Sequence, residues 1–299
     1  MSRKKELEIK GIFVLVVLVF LIFLLVPLTR LFLKSFVGDA GLTPDFYGEV
    51  LTGRGFLRAF GNSLAISSVS AVVTTLLAFI LAYGVHYCNL PGRYKGFISR
   101  AAVAPMLLPT ITYGFAIIYS FGKQGLITRL FGTQLFDIYG FNGLLLGYVI
   151  YTLPVSFLLL SNTMSYIDKK FSVVSRIMGD SPFATFVGTV LRPLLGTLAA
   201  SFVQCFFLCF TDYGIPASVG GEYEVTATVL YNEMLGSVPN FSRGACVAML
   251  MLIPSVVTIA LLHYLEKYNI RYNKISQIEI RRYHIVKDIG IIQSILPIK

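Results

Sequence analysis

Few side chains in this chain of 299 residues are of a type that does chemistry, and their spacing removes most options. The three histidines, His86, His263 and His284, stand far apart, and no H-E-x-x-H pair exists to hold zinc on one helix face. Cys205 and Cys209 lie four apart in an apolar segment and share a helix face. With Cys88 and Cys246 they form no doubled C-x-x-C set, so they read as small packing residues and no metal ligand is expected. No G-x-S-x-G elbow offers a nucleophile, and Gly179-Asp180 follows Ile177, outside a G-x-G-D context. A phosphate-wrapping G-x-x-x-x-G-K-[ST] loop comes nearest at Gly122-Lys123. There Ile117 stands in place of the first glycine and Gln124 in place of the Ser/Thr. No catalytic residue is therefore expected. What remains is Asp212, nearly the only acid inside an apolar run. Its carboxylate either faces a cationic solute or fixes the turn at Gly214 to Pro216. Tyr113, Tyr119, Tyr148 and Tyr151 either line a path beside it or pack. Glu222, Glu224 and Glu233 follow on a loop that either docks a partner or is simply solvated.

The elements that must hold these residues are membrane spans. Apolar residues make up 56% of the chain and charged ones 13%, about half the roughly 25% of soluble domains. Mean hydropathy is +0.75, which excludes disorder and leaves more apolar side chain than a soluble core can hide. The apolar residues come in long runs without alternation, which excludes a β-barrel. Six runs are long enough to span: 11–36, 62–87, 101–121, 143–164, 194–215 and 244–265. The first lacks an A-x-A cleavage site and is too long for a signal-peptide core, so it is a retained helix. Pro27, Pro105, Pro109, Pro154 and Pro254 fall inside spans and predict kinked, mutually packed helices.

With the N-terminus inside, eighteen of the 25 Lys and Arg fall on inner segments and seven on outer ones. Both termini are then cytoplasmic, and the net charge of +10 reflects topology. No nucleic-acid partner is expected. The tail after 270 is basic through Lys287, then apolar from Ile289. It is either a surface segment or the start of a second half.

The inner stretch 164–193 is long for a connection. Phe171, Val174, Ile177 and Met178 repeat at helical spacing. Gly179 fits the left-handed position that ends a helix, and Ser181 then fits an N-cap and Pro182 an N1 position. The result is helix, sharp turn, helix, with apolar residues left for a protein partner.

This stretch resembles the EAA loop of binding-protein-dependent ABC importer permeases. Gly179 falls on that pattern's glycine, Arg176-Ile177-Met178-Gly179 with Ser181-Pro182 is similar to its R-x-x-G-A-S-P run, and Leu191 falls on its leucine. Val173-Val174-Ser175 departs from E-A-A, and Arg192 stands where proline is usual. Asn62-Ser63-Leu64, then Pro105 to Pro109 with Tyr113-Gly114-Phe115-Ala116, and Thr211 to Pro216 with Gly220-Gly221 extend the resemblance over 55–270. The last run is similar to the subgroup handling iron(III), 2-aminoethylphosphonate, thiamine and polyamines.

The resemblance implies an all-α membrane protein, a six-helix transmembrane bundle of the type I ABC importer permease kind, multi-pass in the cell membrane. It implies segments 1–10 (cytoplasmic), 11–36 (first span), 55–270 (permease core with coupling loop 164–193) and 271–299 (basic tail, or a truncated second half). It implies a pore subunit rather than an enzyme. No cofactor is bound in this chain, and ATP and Mg are held by a partner ATPase dimer. A second permease half, identical or related, and an external substrate-binding protein complete the assembly. Phe171, Val174, Arg176, Ile177, Met178, Gly179, Ser181, Pro182 and Phe183 are the expected ATPase-coupling residues. Asp212, Tyr213, Pro109, Tyr113 and Tyr151 are candidates for the path or gate. Iron(III) or 2-aminoethylphosphonate leads the expected solutes, with thiamine, polyamine and sulfate open. The competing classes are a secondary transporter, which predicts inverted repeats and coupling acids, and an inactive half-permease fragment.

Overall fold

The computed structural model describes residues 3–38 and 41–288, with side chains from 10 to 264 except at 39, 40 and 54. The apolar stretch from Ile289 lies outside the described residues. The chain divides into two compact units, Met1–Ser63 with Tyr223–Pro254, and Leu64–Glu222 with Ser255–Lys299. Two helices, α3 (Arg54–Tyr87) and α13 (Phe241–Asp288), run through both.

The first unit begins with α1 (Arg3–Lys34), whose side chains from Ile12 to Leu28 are almost all exposed. A helix apolar on every face is a lipid-facing span. Two residues of strand on each side, β1 (Val37–Gly38) and β2 (Gly41–Leu42), pair antiparallel and reverse the chain into α2 (Asp45–Thr52). The Ser35 and Tyr47 hydroxyls meet at 2.8 Å across this reversal.

The start of α3 is latched to the segment before α12 (Thr226–Leu235). Asn62 Nδ2 donates to the Glu224 carbonyl at 2.9 Å, and buried Ser63 Oγ accepts the Thr226 amide at 2.7 Å and its hydroxyl at 3.0 Å. The Asn-Ser-Leu signature thus has a local reason. Ser63→Ala strands the Thr226 amide. The expected loss is about 1–3 kcal/mol of stability, measured by thermal unfolding of the purified chain.

The second unit holds α4 (Gly92–Val103), α5 (Thr110–Phe121), α6 (Leu126–Phe131), α7 (Phe141–Tyr166), α8 (Lys170–Ile177), α9 (Pro182–Phe186), α10 (Arg192–Thr211) and α11 (Gly214–Val219). Helix α7 packs on α10, and α5 on α11. Ala78, Ala82, Phe157, Leu160, Met164, Val190 and Leu194 form one buried cluster. Small residues on α3 let its backbone approach α7 closely, as helix association in lipid requires. Buried hydroxyls satisfy one another there. Thr74 pairs with Thr152 at 3.0 Å, and Ser201 bonds both Ser156 and Thr75.

Among the described residues five helices are long and apolar enough to cross a membrane, and a sixth span arises if one bent pair counts as one. That pair corrects the predicted third span, 101–121. It is not a kinked helix but two arms, Gly92–Leu107 and Thr110–Phe131, bent by 111°. The cause lies in the two prolines. A 3-10 turn occupies Ala104–Leu107 around Pro105, and Leu108 is extended at φ −105°, ψ 142°. A residue before proline is pushed out of the helical region, so Pro109 ends one arm and pre-sets the next.

The predicted boundary at 193 is also corrected. From Pro182 to Thr211 the chain is one 30-residue span, joined by a π turn at Val187–Leu191. Pro193 has no N–H for the carbonyl four residues back, and the turn widens ahead of it. The second helix of the loop is therefore the foot of the fifth span.

Candidate functional site

The loop between α7 and α10 is built by its own punctuation. Helix α8 ends in a Schellman motif: the Asp180 amide donates to the Ser175 carbonyl and the Gly179 amide to the Arg176 carbonyl, both at 3.1 Å. Gly179 sits at φ +88°, where a side chain is strained. Ser181 caps α9 by accepting the Ala184 amide at 3.2 Å, and Pro182 occupies the first helical turn. The two helices are held together by hydroxyls, with Ser172 to Thr189 at 2.8 Å and Ser175 to Thr185 at 3.1 Å.

Those bonds use the inner face of α8 and leave the other face bare. Ile177 is 80% exposed, Met178 79%, Phe183 74% and Phe171 64%, with Val174 also exposed. Arg176 differs from its apolar neighbours in lining a cavity on the inner side of α8, together with Val173. The Ser172, Ser175, Thr185 and Thr189 hydroxyls that fix the two helices were not singled out by sequence. Their spacing of three and four was the available signal.

The path candidates converge on the start of α5. The Asp212 carboxylate is buried, accepts the Ile215 amide at 2.9 Å and is hydrogen bonded by the Thr110 side chain. Pro109 precedes Thr110. Tyr113, one turn on, donates to the Pro105 carbonyl and stands 5.9 Å, ring to ring, from Tyr151. Half-buried Tyr213 separates Asp212 from α11. Among the other tyrosines, Tyr148 is fully buried and Tyr119 is exposed.

Thr110 and Ser218 escaped sequence reading. Thr110 directly follows the second proline of the Pro105 to Pro109 run, and that was its signal. A Cβ on Gly214 would meet Thr110 Oγ1 at 2.2 Å and the Ile111 backbone nitrogen at 2.8 Å, so α11 docks on the α5 N-terminus through glycine. Asp212→Ala leaves the Ile215 amide unpaired. It is expected to cost about 1–3 kcal/mol by thermal unfolding, whereas Asp212→Asn keeps an acceptor oxygen and costs less. If the two variants unfolded alike, the carboxylate would not be holding this corner.

Among the described residues no three His, Cys, Asp or Glu side chains group closely enough to hold a metal ion. Cys205, Cys209 and Cys246 are buried thiols, and Cys88 is exposed. A second cavity of about 510 Å³, lined by Tyr119, Lys123, Arg129 and Tyr139, lies beside α5 and α6.

A polytopic helical chain with a helix-turn-helix loop and a proline-broken span defines a membrane permease domain. Residues 74–270 match the family described as binding-protein-dependent transport system inner membrane component, and the chain belongs to that family. It is 25% identical over 273 residues to a ferric transport system permease protein, FbpB, of Actinobacillus pleuropneumoniae, covering 89% of this chain and 39% of that one. It is 24% identical over 258 residues to the sulfate transport system permease protein CysT of Synechococcus elongatus, covering 84% and 89%. The chain thus spans less than half the length of the ferric relative. Among solved structures, a bacterial ABC transporter importing alginate is similar at a TM-score of 0.71 and 12% identity, covering 90% of this chain and 96% of that one. The fold is that of ABC importer permeases, and the predicted all-α membrane class holds.

Proposed function

We propose that this chain forms the translocation path of an ATP-binding-cassette importer for a small solute delivered by an external binding protein. The observation that carries it is the bare apolar face of α8 and α9 around Gly179, on a chain of this family. The exposed apolar side chains of α8 lie outside both the core and the lipid-spanning segments and call for a protein partner, and Phe183 flanks them at the foot of a span. The partner is an ATPase dimer that binds ATP and Mg. Phe171, Val174, Ile177, Met178 and Phe183 insert into it, Gly179, Ser181 and Pro182 shape the turn, and Arg176 stands behind them. The excess of basic residues on the loop's side supports a cytoplasmic location for the loop and both termini.

A second permease, identical or related, completes the path. Asp212, Tyr213, Pro109, Tyr113 and Tyr151 gate it, because they gather where the broken span bends. Iron(III) is the leading solute, supported by the ferric relatives. Sulfate, thiamine and polyamine follow from relatives so named, and 2-aminoethylphosphonate from the D-Y-G-I-P run. ATP-driven closure of the ATPases moves the paired permeases and alternates access.

The test is affinity purification of the chain in mild detergent with mass spectrometry of what accompanies it. Recovery of an ATPase and a second permease is expected. A stable chain that emerges alone, without an ATPase, would overturn the proposal.

A further inference from the structure

Behind α8, on the side away from its exposed apolar face, lies a cavity of about 280 Å³ that the coupling role leaves unused. Its polar lining includes Lys169, Arg176, His86, Tyr83 and Tyr87 beside three hydroxyls, and no carboxylate lines it. Among the described residues neither cation is in an ion pair. The Lys169 ammonium donates to the His86 carbonyl at 2.7 Å and stands 5.7 Å from the Tyr87 ring centre, which fixes its place. Lys95 adds to the positive side of this corner.

One further feature points to a missing acceptor. The Tyr87 phenol oxygen is buried and has no hydrogen-bond partner, and a buried donor left so is costly. The nearby hydroxyls are already spent: Thr189 donates to the Thr185 carbonyl at 2.7 Å, and Ser172 donates to Thr189 at 2.8 Å. The remaining wall is rigid and aromatic. Tyr83 stacks on Tyr87 at 5.2 Å, and Phe186 meets Tyr83 edge-on at 5.6 Å. Tyr87 is the last residue of a candidate span, so the cavity sits at the depth of phospholipid headgroups.

We propose that this cavity binds a phosphate-bearing anion, held by the Arg176 guanidinium and Lys169 ammonium and oriented by the Tyr87 phenol. A phospholipid headgroup and inorganic phosphate offer the same chemistry. The bound anion ties α8 to the end of α3. The inference uses only the inner face of the loop and does not rest on which partner covers the outer one.

The test uses the full chain in two preparations. Radiolabelled inorganic phosphate is titrated onto the chain in neutral detergent. In parallel, lipid retained from nanodiscs of phosphatidylglycerol or of phosphatidylcholine is counted by native mass spectrometry. The variants are Lys169→Gln with Arg176→Gln, both exposed positions, and separately Tyr87→Phe. Phosphate binding by the wild type that weakens by about tenfold or more in the double variant supports a free phosphate. Retention of phosphatidylglycerol over phosphatidylcholine, lost in the double variant, supports a headgroup. Tyr87→Phe is expected to weaken whichever binds, at unchanged thermal stability. If wild type and double variant bind phosphate and retain phosphatidylglycerol equally, or neither binds at all, the proposal is wrong.

Discussion

Replacing Gly179 by valine is expected to cut recovery of the ATPase with this chain by tenfold or more, while membrane insertion and thermal stability of the chain stay near wild type. The reason is backbone geometry. Gly179 stands at φ +88°, and a Cβ there would touch nothing within 4 Å, so no clash disturbs the rest of the fold. A left-handed conformation costs about 1–2 kcal/mol for an ordinary L-residue, and more for a β-branched one. Valine relieves that strain by leaving the left-handed region. The two 3.1 Å bonds that close the end of α8 then break, and Ile177 and Met178 lose their fixed relation to Phe183. Asn tolerates the left-handed region better than valine, so Gly179→Asn should recover much of the ATPase. The measurement is the ratio of ATPase to chain after purification. A normal ratio for valine would remove the turn from the docking role.

Replacing Gly114 by valine should instead destabilise the chain itself. A Cβ at Gly114 would lie 1.6 Å from Ser218 Oγ and 2.5 Å from its Cβ, so α5 and α11 cannot keep their approach. Overpacking of this kind costs about 1–3 kcal/mol or more, a drop of roughly 2–10 °C in Tm for a unit of this size. The site offers its own control. Ser218→Gly removes the atoms that collide, so the double variant should regain part of the loss, and the cycle measures the contact directly. A Tm that falls equally with and without Ser218→Gly would place the strain elsewhere.

What sequence reveals here divides by range. The α8 turn was legible because each of its signals is local: a helical apolar repeat, then Gly179, Ser181 and Pro182 within four residues. The spans were legible from the length of their apolar runs. The break at Leu108–Pro109 was half legible. Two prolines announced a disturbance, but their spacing does not distinguish a kink from a 111° bend. The corner at Asp212 was not legible as geometry. It depends on Thr110, Gly114 and Ser218, and residues 114 and 218 meet only once the helices are packed. The inner face of α8 was missed for a related reason: serine and threonine carry no sign of whether they bond to water or to one another.

The π turn at Val187–Leu191 has a mechanical meaning. No flexible joint separates the loop's second helix from the fifth span, which continues from Pro182 to Thr211, about 45 Å at helical rise, before Asp212 turns the chain. Under the proposed coupling role, a push delivered at Phe183 would be carried as in a crankshaft and arrive as rotation at the corner where Asp212 meets Thr110. The widened turn is where that shaft departs from the regular helical pitch.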